Sequence, residues 1–229
     1  SVRAGEVLGM AGMMGAGRTE FARAVFGADA LKAGELYMKG EKIAIHEPID
    51  AVAHKIAYLP EDRKKDGLLL DQSVDMNILL ASLDRCARHG LIDEKKCGDV
   101  VTEKISDLAV KTPSARQLVK FLSGGNQQKV LVCRWLCLDS QVVIFDEPTR
   151  GIDVGAKYEI YTLINRMADA GAAVIMISSD MSEILGMSDR IAVMYEGRLV
   201  GEIDRAAATQ EKILNMASNL LDLDTEGAQ

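Results

Sequence analysis

A glycine-rich segment near the start of the chain has the composition of a phosphate-binding loop. Gly12–Thr19 reads GMMGAGRT, with Arg18 where such loops usually hold lysine. Glycines accept the backbone conformations that turn successive N–H groups toward phosphate oxygens, and a following helix presents its N-terminus to the same anion. The Thr19 hydroxyl is a suitable Mg²⁺ ligand. The spacing predicts a phosphate site; a glycine-rich turn without a ligand is the alternative.

Two adjacent carboxylates follow an apolar run further along the chain. Val142–Thr149 reads VVIFDEPT, so Asp146 and Glu147 come directly after four apolar residues. A strand that ends in two acids presents them at the carboxyl edge of a sheet, where ligands bind in α/β folds. We expect Asp146 to hold Mg²⁺, through water, and Glu147 to polarise an attacking water. An acidic turn after a buried strand is the alternative.

A third segment, LSGGNQQKV, predicts a helix with an exposed positive end. Ser123 is followed by Gly124 and Gly125, and the helix is predicted from Gly125 to Leu138. The free N–H groups of its first turn and the serine hydroxyl suit an anion. The segment thus predicts a second anion site on the same chain, with an ordinary N-capped helix as the alternative.

Strands and helices alternate around these segments. Runs such as EVLGM, KIAYLP, QVVIF and AAVIMIS predict strands, and apolar residues at helical spacing lie between several of them. This alternation predicts an α/β fold with a mostly parallel sheet. Gly34–Ile45 predicts a small antiparallel β region, a hairpin with Lys39 and Gly40 at its turn.

The domain organisation follows from the same patterns. Residues 1–229 are expected to form one domain, with approximately residues 73–120 as a helical subdomain inserted in the α/β core. Residues 221–229 are expected to form a mobile tail. The sequence starts at Ser1 with neither an initiator methionine nor a signal peptide pattern, so we expect a piece of a longer polypeptide.

The composition of the chain disfavours several classes of function, among them nucleic-acid binding and membrane spanning. Lys and Arg number 27 against 34 Asp and Glu, a net charge of −7, which disfavours binding to nucleic acid. The apolar runs are far shorter than the roughly 20 residues that span a bilayer. Cys133 and Cys137 lie four apart on a predicted helix, and buried thiols are favoured over a metal pair there. A reduced, cytosolic setting fits this cysteine usage.

The chain resembles the nucleotide-binding domain of ATP-binding cassette (ABC) transporters over nearly its whole length. The strings GMMGAGRTE, LPEDRKKDGL, LSGGNQQKV, DEPTRGIDVGAK and ISSDMSEILGMSDRIAVMYEGRL resemble more closely the second, C-terminal cassette of bacterial monosaccharide importers of the ribose, galactose or xylose type. The resemblance implies a P-loop NTPase core that binds ATP and Mg²⁺, and an ATPase activity that drives sugar import.

The resemblance also implies residue roles. Phosphate-loop contacts to the nucleotide are implied for Gly12, Gly15, Ala16, Gly17, Arg18, Thr19 and Glu20. The signature motif corresponds to Ser123, Gly124 and Gly125. The Mg²⁺ ligands correspond to Thr19 and Asp146, and the water-activating acid to Glu147. Asp153 falls in the loop that faces the other cassette. The aromatic residue that stacks on adenine would lie upstream of Ser1.

Three residues depart from the general family pattern. Arg18 replaces lysine, Glu61 stands where glutamine senses the γ-phosphate and the metal, and Ser179 stands where histidine contacts the γ-phosphate. Arg18 keeps its charge in a bulkier, planar form. Glu61 repels phosphate unless Mg²⁺ lies between them, and a serine offers one neutral hydrogen bond. We therefore expect weak ATP hydrolysis at this chain's own site.

The partners are implied by the resemblance as well. They are a second cassette in the N-terminal half of the same polypeptide, arranged head to tail, and integral membrane permease subunits at the cytoplasmic face of the bacterial inner membrane. A periplasmic sugar-binding protein acts indirectly. The intact signature is expected to serve the ATP of the facing cassette. The alternative is a non-catalytic nucleotide-binding and dimerisation half that regulates its partner. The permease is expected to contact the helical subdomain and the segment after Glu61.

Overall fold

The computed structural model describes residues 1–88 and 91–218, and the tail expected at 221–229 lies outside these residues. The chain divides into two compact units. The first comprises Ser1–Tyr58, Gln141–Pro148 and the chain from Tyr161 onward, and the second comprises Leu59–Ser140 and Thr149–Ile160. The segment 73–120, which was predicted to be helical, lies within the second unit.

The strands of the described residues run in chain order as follows: β1 (Val7–Gly12), β2 (Leu36–Met38), β3 (Glu41–Ile43), β4 (Ile56–Leu59), β5 (Ala87–Arg88), β6 (Leu91–Ile92), β7 (Val142–Asp146), β8 (Ala173–Ile177), β9 (Arg190–Tyr195) and β10 (Arg198–Asp204). The helices are α1 (Arg18–Phe26), α2 (Pro48–Ala53), α3 (Val74–Leu79), α4 (Leu83–Cys86), α5 (Glu94–Asp107), α6 (Gly124–Leu136), α7 (Val154–Asp169), α8 (Met181–Met187) and α9 (Gln210–Ala217).

A six-stranded sheet in the order β10-β9-β1-β8-β7-β4 forms the core of the first unit. β1 is parallel to both β8 and β9, and β7 is parallel to β8, while β10 is antiparallel to β9. Strands covered on both faces are apolar throughout; in β7, for example, Val143, Ile144 and Phe145 are fully buried. The α/β fold with a mostly parallel sheet is therefore confirmed.

The sheet order brings three chain segments to one edge. β8 lies between β1 and β7, and Ile177, its last residue, is in register with Met10 of β1 and Asp146 of β7. Because the three strands are parallel, their carboxyl ends lie at the same edge. The residues that follow β1, β7 and β8 therefore share one location.

The small antiparallel region also forms as predicted. β2 and β3 pair as a hairpin, and its turn residues Lys39 and Gly40 have φ angles of 53° and 84°. Two positive φ angles in a two-residue turn match the right-handed twist of the flanking strands.

Helices α3 to α6 all lie in the second unit. Arg134 of α6 is buried and donates hydrogen bonds to the carbonyl oxygens of Asn77 (2.8 Å) and Gly67 (2.7 Å), tying α6 to α3 and to the turn before it. α6 begins at Gly124 and ends at Leu136, slightly earlier at both ends than predicted. The β5–β6 hairpin and a π-helical turn at Arg63–Gly67 were not predicted from the sequence.

The four cysteines are buried thiols in the second unit. Burial raises the pKa of Cys133 and of Cys137, and burial together with a contact to Cys86 raises the pKa of Cys97 to about 11. Since the thiolate is the metal-binding and nucleophilic form, a raised pKa keeps Cys97, Cys133 and Cys137 in the unreactive thiol form. Within the residues described, no helix is long and apolar enough to cross a membrane.

Candidate functional site

The glycine-rich loop joins β1 to α1 in the first unit. Gly15 and Gly17 have φ angles of 80° and 92°, which a residue with a side chain rarely adopts. A Cβ atom at Gly12 would lie 2.6 Å from the carbonyl oxygen of Met194 and 2.9 Å from the Cβ of Ala16. Gly17 is the N-cap of α1, and because it has no side chain it does not accept hydrogen bonds from the N–H groups of the first turn. The N–H groups at the start of α1 are thus open to an anion.

The Arg18 side chain turns toward the end of β8. It is 9% exposed, and its Nη1 atom donates a 2.8 Å hydrogen bond to the carbonyl oxygen of Ser178, the residue directly after β8. One N–H group of the guanidinium is therefore bonded to the backbone. The guanidinium remains charged, so it places a positive charge at this edge of the sheet.

Asp146 is a buried carboxylate with two side-chain donors. The Thr19 hydroxyl lies 3.2 Å from Oδ1 and the Tyr58 hydroxyl 3.0 Å from Oδ2. Burial raises the pKa of Asp146, while the hydrogen bonds from Thr19 and Tyr58 act in the opposite direction. Thr19 and Asp146 form a pair of hard oxygen ligands, the kind that Mg²⁺ takes together with phosphate oxygens. The residues therefore fit the ion.

Glu147 is held by the residues that follow β8. Its backbone N–H donates to the carbonyl oxygen of Ile177 at 2.9 Å, and the Ser179 hydroxyl donates to its Oε2 atom at 3.1 Å. Its φ angle is 48°, a strained value for a residue with a side chain. Burial raises the pKa of Glu147, against the opposing effects of the Ser179 hydrogen bond and the Arg18 charge. A carboxylate with a raised pKa is a better proton acceptor near neutral pH.

The signature segment lies in the second unit. Ser123 is the N-cap of α6, and its Oγ atom accepts hydrogen bonds from the backbone N–H of Asn126 (3.5 Å) and its side-chain amide (2.9 Å). Ser123 is exposed rather than buried in a core. A cavity of about 280 Å³ is lined by Ser123, Gly125 and Asp153 among others. Asp153 accepts a 3.0 Å hydrogen bond from the N–H of Ala156 in the first turn of α7.

Glu61 has a cationic partner that sequence reasoning missed. It forms an ion pair with Arg150, and both residues belong to the second unit. Arg63, two residues later, donates from Nη1 to the carbonyl oxygen of Arg150 at 2.8 Å. The charge of Glu61 is therefore partly neutralised within its own unit.

Comparison of sequences identifies the family. The family model described as "ABC transporter" matches residues 1–150. The chain belongs to the ABC transporter family. Solved ABC cassettes share its fold: the ATP-binding cassette MJ0796, in a dimeric post-hydrolysis state bound to ADP and Pi, superposes with a TM-score of 0.75 at 19% identity, covering 90% of this chain and 88% of that one. A nucleotide-free ATP-binding cassette from an ABC transporter gives 0.74 at 20% identity, covering 95% of this chain and 86% of that one.

Curated ABC relatives are much more similar in sequence. The chain is 52% identical over 219 residues to a protein of Burkholderia ambifaria named "Putative ribose/galactose/methyl galactoside import ATP-binding protein 3", covering 95% of this chain and 43% of that protein. It is 50% identical to "Ribose import ATP-binding protein RbsA" of Bacillus subtilis, covering 95% of this chain and 44% of that one. The chain thus spans less than half the length of these relatives.

The structure adds residues to this ABC site that the motifs did not indicate. Tyr58 contacts Asp146, and Ser178 contacts Arg18. Ser178 lies in one of the strings that resemble the family, but no role was predicted for either residue. Tyr58 lies near the end of an apolar strand, where a buried hydroxyl needs a partner. A tyrosine at the end of an apolar strand is thus the signal in the sequence that could have indicated the Tyr58–Asp146 contact.

Proposed function

We propose that this chain is the ATP-binding cassette of a carbohydrate importer and the second of two cassettes on a longer polypeptide. The observation that carries the proposal is the 52% identity, over 95% of the chain, to a protein named for ribose, galactose and methyl galactoside import. The share of that relative covered, 43%, leaves room for a further cassette of similar length.

The nucleotide in the chain's own site would meet the loop after β1. We assign phosphate contacts to the loop and the start of α1, namely Gly12, Gly15, Ala16, Gly17, Arg18, Thr19 and Glu20. Thr19 and Asp146 would hold Mg²⁺, which when bound neutralises charge on the phosphate oxygens. Glu147, with its raised pKa, would orient and deprotonate the attacking water.

Three contacts support weak turnover at this site. Arg18 donates to the Ser178 carbonyl, so part of its hydrogen-bonding capacity is unavailable to phosphate. Ser179 donates to Glu147, so the serine at the histidine position contacts the catalytic acid. Glu61 pairs with Arg150, and a carboxylate at this position still adds negative charge where the family has a neutral amide. Phosphoryl transfer depends on positioning and charge stabilisation, and each of these contacts alters one of the two.

The exposed Ser123 supports the second part of the proposal. A helix N-terminus with an exposed serine cap and two glycines can receive the terminal phosphate of an ATP held by a facing cassette. The cassettes would pair head to tail, dock on permease subunits at the cytoplasmic face of the inner membrane, and receive sugar through a periplasmic binding protein. The exposed face of segment 73–120, with the segment after Glu61, would contact the permease.

ATPase measurements on the complete transporter test the asymmetry. We expect Arg18→Ala to reduce the sugar-stimulated rate only mildly and Ser123→Arg to reduce it severely, because Ser123 serves the active site. The reverse order would overturn the proposal. Stimulation by ribose or galactose with the cognate binding protein tests the substrate class, and a rate indifferent to every sugar would refute it.

A second candidate is a non-catalytic, regulatory half, which the Arg18–Ser178 and Ser179–Glu147 contacts favour. Glu147→Gln in this cassette of the complete transporter distinguishes the two. A catalytic own site requires a measurable loss of ATPase rate, whereas a purely regulatory half leaves the rate unchanged while nucleotide binding by this cassette persists.

A further inference from the structure

Two short segments of the second unit hold each other through reciprocal contacts. Arg150 forms an ion pair with Glu61, and Arg63 donates back to the carbonyl oxygens of Arg150 (Nη1, 2.8 Å) and Gly151 (Nη2, 3.4 Å). A cavity of about 240 Å³ lies between these side chains. The segment that begins at Glu61 is therefore attached to the segment after Thr149 through two of its charged side chains, those of Glu61 and Arg63.

The same guanidinium lies against the first residue of the signature helix. A Cβ atom added to Gly124 would lie 2.7 Å from Nη2 of Arg63 and 3.2 Å from the carbonyl oxygen of Gly151. At 2.7 Å something must shift, and here it is the end of the Arg63 side chain. Arg63 therefore occupies the space beside Gly124 that a larger residue there would need.

The carbonyls that Arg63 binds, those of Arg150 and Gly151, lie three and two residues before Asp153 in the chain. Asp153 caps the first turn of α7 through the N–H of Ala156, and the cavity at the signature is lined by both Asp153 and Ser123. Only Ile152 separates Gly151 from Asp153 in the chain. Arg63 thus lies against Gly124, the neighbour of the cavity-lining Ser123, and also binds the chain that leads to Asp153, which lines the same cavity.

Arginine is the residue type suited to this position. Its planar fork reaches two carbonyl oxygens at once, which the single ammonium group of lysine does not do with the same geometry. The Nε atom of Arg63 is buried and has no hydrogen-bond partner among the described residues. The two Nη contacts therefore provide the hydrogen bonding that holds this side chain.

We propose that Arg63 is a positioning residue for ATP turnover at the site that the signature serves. Its guanidinium holds the Arg150–Gly151 carbonyls beside Gly124, and so keeps Asp153 and Ser123 at the spacing that the facing cassette meets. This inference rests on the proposed function of the signature.

The test uses the complete transporter with Arg63→Ala and a matched control, Arg23→Ala. The guanidinium of Arg23 also donates two hydrogen bonds, to the carboxylate oxygens of Asp29 (2.7 Å and 2.9 Å), but it lies in the last turn of α1, outside the signature and the proposed permease contact. Per folded molecule, judged from unfolding curves, we expect Arg63→Ala to lower kcat by about 10-fold, the factor that follows from losing roughly 1.4 kcal/mol. KM for ATP should change less than about twofold, because the nucleotide is held by the facing phosphate loop. Arg23→Ala should leave kcat unchanged.

Two further variants keep the test decisive. Arg63→Lys retains the charge without the fork and should recover only part of kcat. Gly124→Ala should lower kcat by crowding Nη2, and Arg63→Ala/Gly124→Ala should lose less than the product of the two single losses, since the shorter of the two Cβ contacts is gone. Losses that multiply, or a kcat for Arg63→Ala equal to that of the control, would overturn the inference.

Ser123→Arg measured in parallel separates the two proposals. If Ser123→Arg abolishes turnover and Arg63→Ala does not affect it, the positioning role alone is wrong. If Ser123→Arg has no effect, the proposed function of the signature is wrong. Should Arg63→Ala fail to fold, the comparison of Arg63→Lys with wild type and with Gly124→Ala decides: full activity of Arg63→Lys would overturn the role of the fork.

Discussion

The hydroxyl of Tyr58 donates a 3.0 Å hydrogen bond to Oδ2 of Asp146, 88 residues away in the sequence. Tyr58 is 5% exposed and Asp146 is 1% exposed, so neither group has an alternative partner in bulk water. Thr19 occupies the other oxygen of the same carboxylate. The orientation of Asp146 is thus set from two sides before any ligand binds.

We predict that Tyr58→Phe lowers the free energy of unfolding by about 1–3 kcal/mol, because it leaves a buried carboxyl oxygen of Asp146 without this hydrogen bond. Urea denaturation of the folded chain measures the change. Tyr37→Phe is the matched control, since the Tyr37 hydroxyl donates to Glu35 at an exposed site. Equal effects of the two substitutions would contradict the importance of burial at Asp146.

Glu147→Gln should stabilise the chain increasingly as the pH rises. Burial raises the pKa of Glu147 above its ordinary value of 4.5, so its charged form destabilises the fold as the pH increases through the folded pKa. Glutamine keeps an acceptor for Ser179 and carries no charge. Unfolding free energies measured from about pH 4 to about pH 8 should show a difference that is smallest at the acidic end. A difference that shrinks with rising pH would refute the assignment.

Glu6→Gln should show the opposite pH dependence. Burial disfavours the Glu6 carboxylate, but hydrogen bonds and charge from Arg190, with the Arg3 N–H, overcome this and lower its pKa below 4.5. Arg190 contacts it through Nε (2.8 Å) and Nη2 (3.2 Å), and both side chains are buried. The stabilisation is therefore complete above the unfolded pKa and is lost as the pH falls through the folded one.

Glu6→Gln leaves Arg190 with Glu202 as its remaining ion-pair partner, so we expect a destabilisation of about 1–3 kcal/mol near neutral pH and less in acid. Urea denaturation near neutral pH and again in acid measures this change in the free energy of unfolding. Glu35→Gln, which removes an exposed partner of Lys42, should have a much smaller effect. A cost for Glu6→Gln that does not depend on pH would contradict the charged state of Glu6.

Two helical glycines should respond to alanine with opposite signs. A Cβ atom at Gly125 would lie 2.6 Å from the Cβ of Ala156, whereas one at Gly98 would have nothing within 4 Å. We predict that Gly125→Ala destabilises by about 1–3 kcal/mol through overpacking. Gly98→Ala should stabilise by about 0.5–1 kcal/mol, because alanine has the higher helix propensity. Thermal unfolding of both variants measures the signs, and stabilisation by Gly125→Ala would show that α6 and α7 are not in contact there.

Much of the fold could be predicted because its determinants are local. Apolar runs predicted the buried strands, and the Lys39–Gly40 turn predicted the β2–β3 hairpin. The helix after the glycine loop ends at Phe26 and is capped by Gly27, whose φ angle of 76° is one that glycine commonly adopts after a helix. The short β5–β6 hairpin was missed because two-residue strands carry almost no periodic signal.

The sequence by itself determined the family, the α/β class, and the residue types of the phosphate loop, the acid pair and the signature. Each depends on conformations and spacings within a few neighbouring residues. Only the tertiary structure decided which side chains contact them: Ser178 with Arg18, Ser179 with Glu147, and Arg150 with Glu61. These partners are distant in the chain and meet because β8 lies between β1 and β7, or because segments of the second unit fold together. Local spacing carries no information about which distant segment will be adjacent, since that depends on the order in which strands pack to bury their apolar faces.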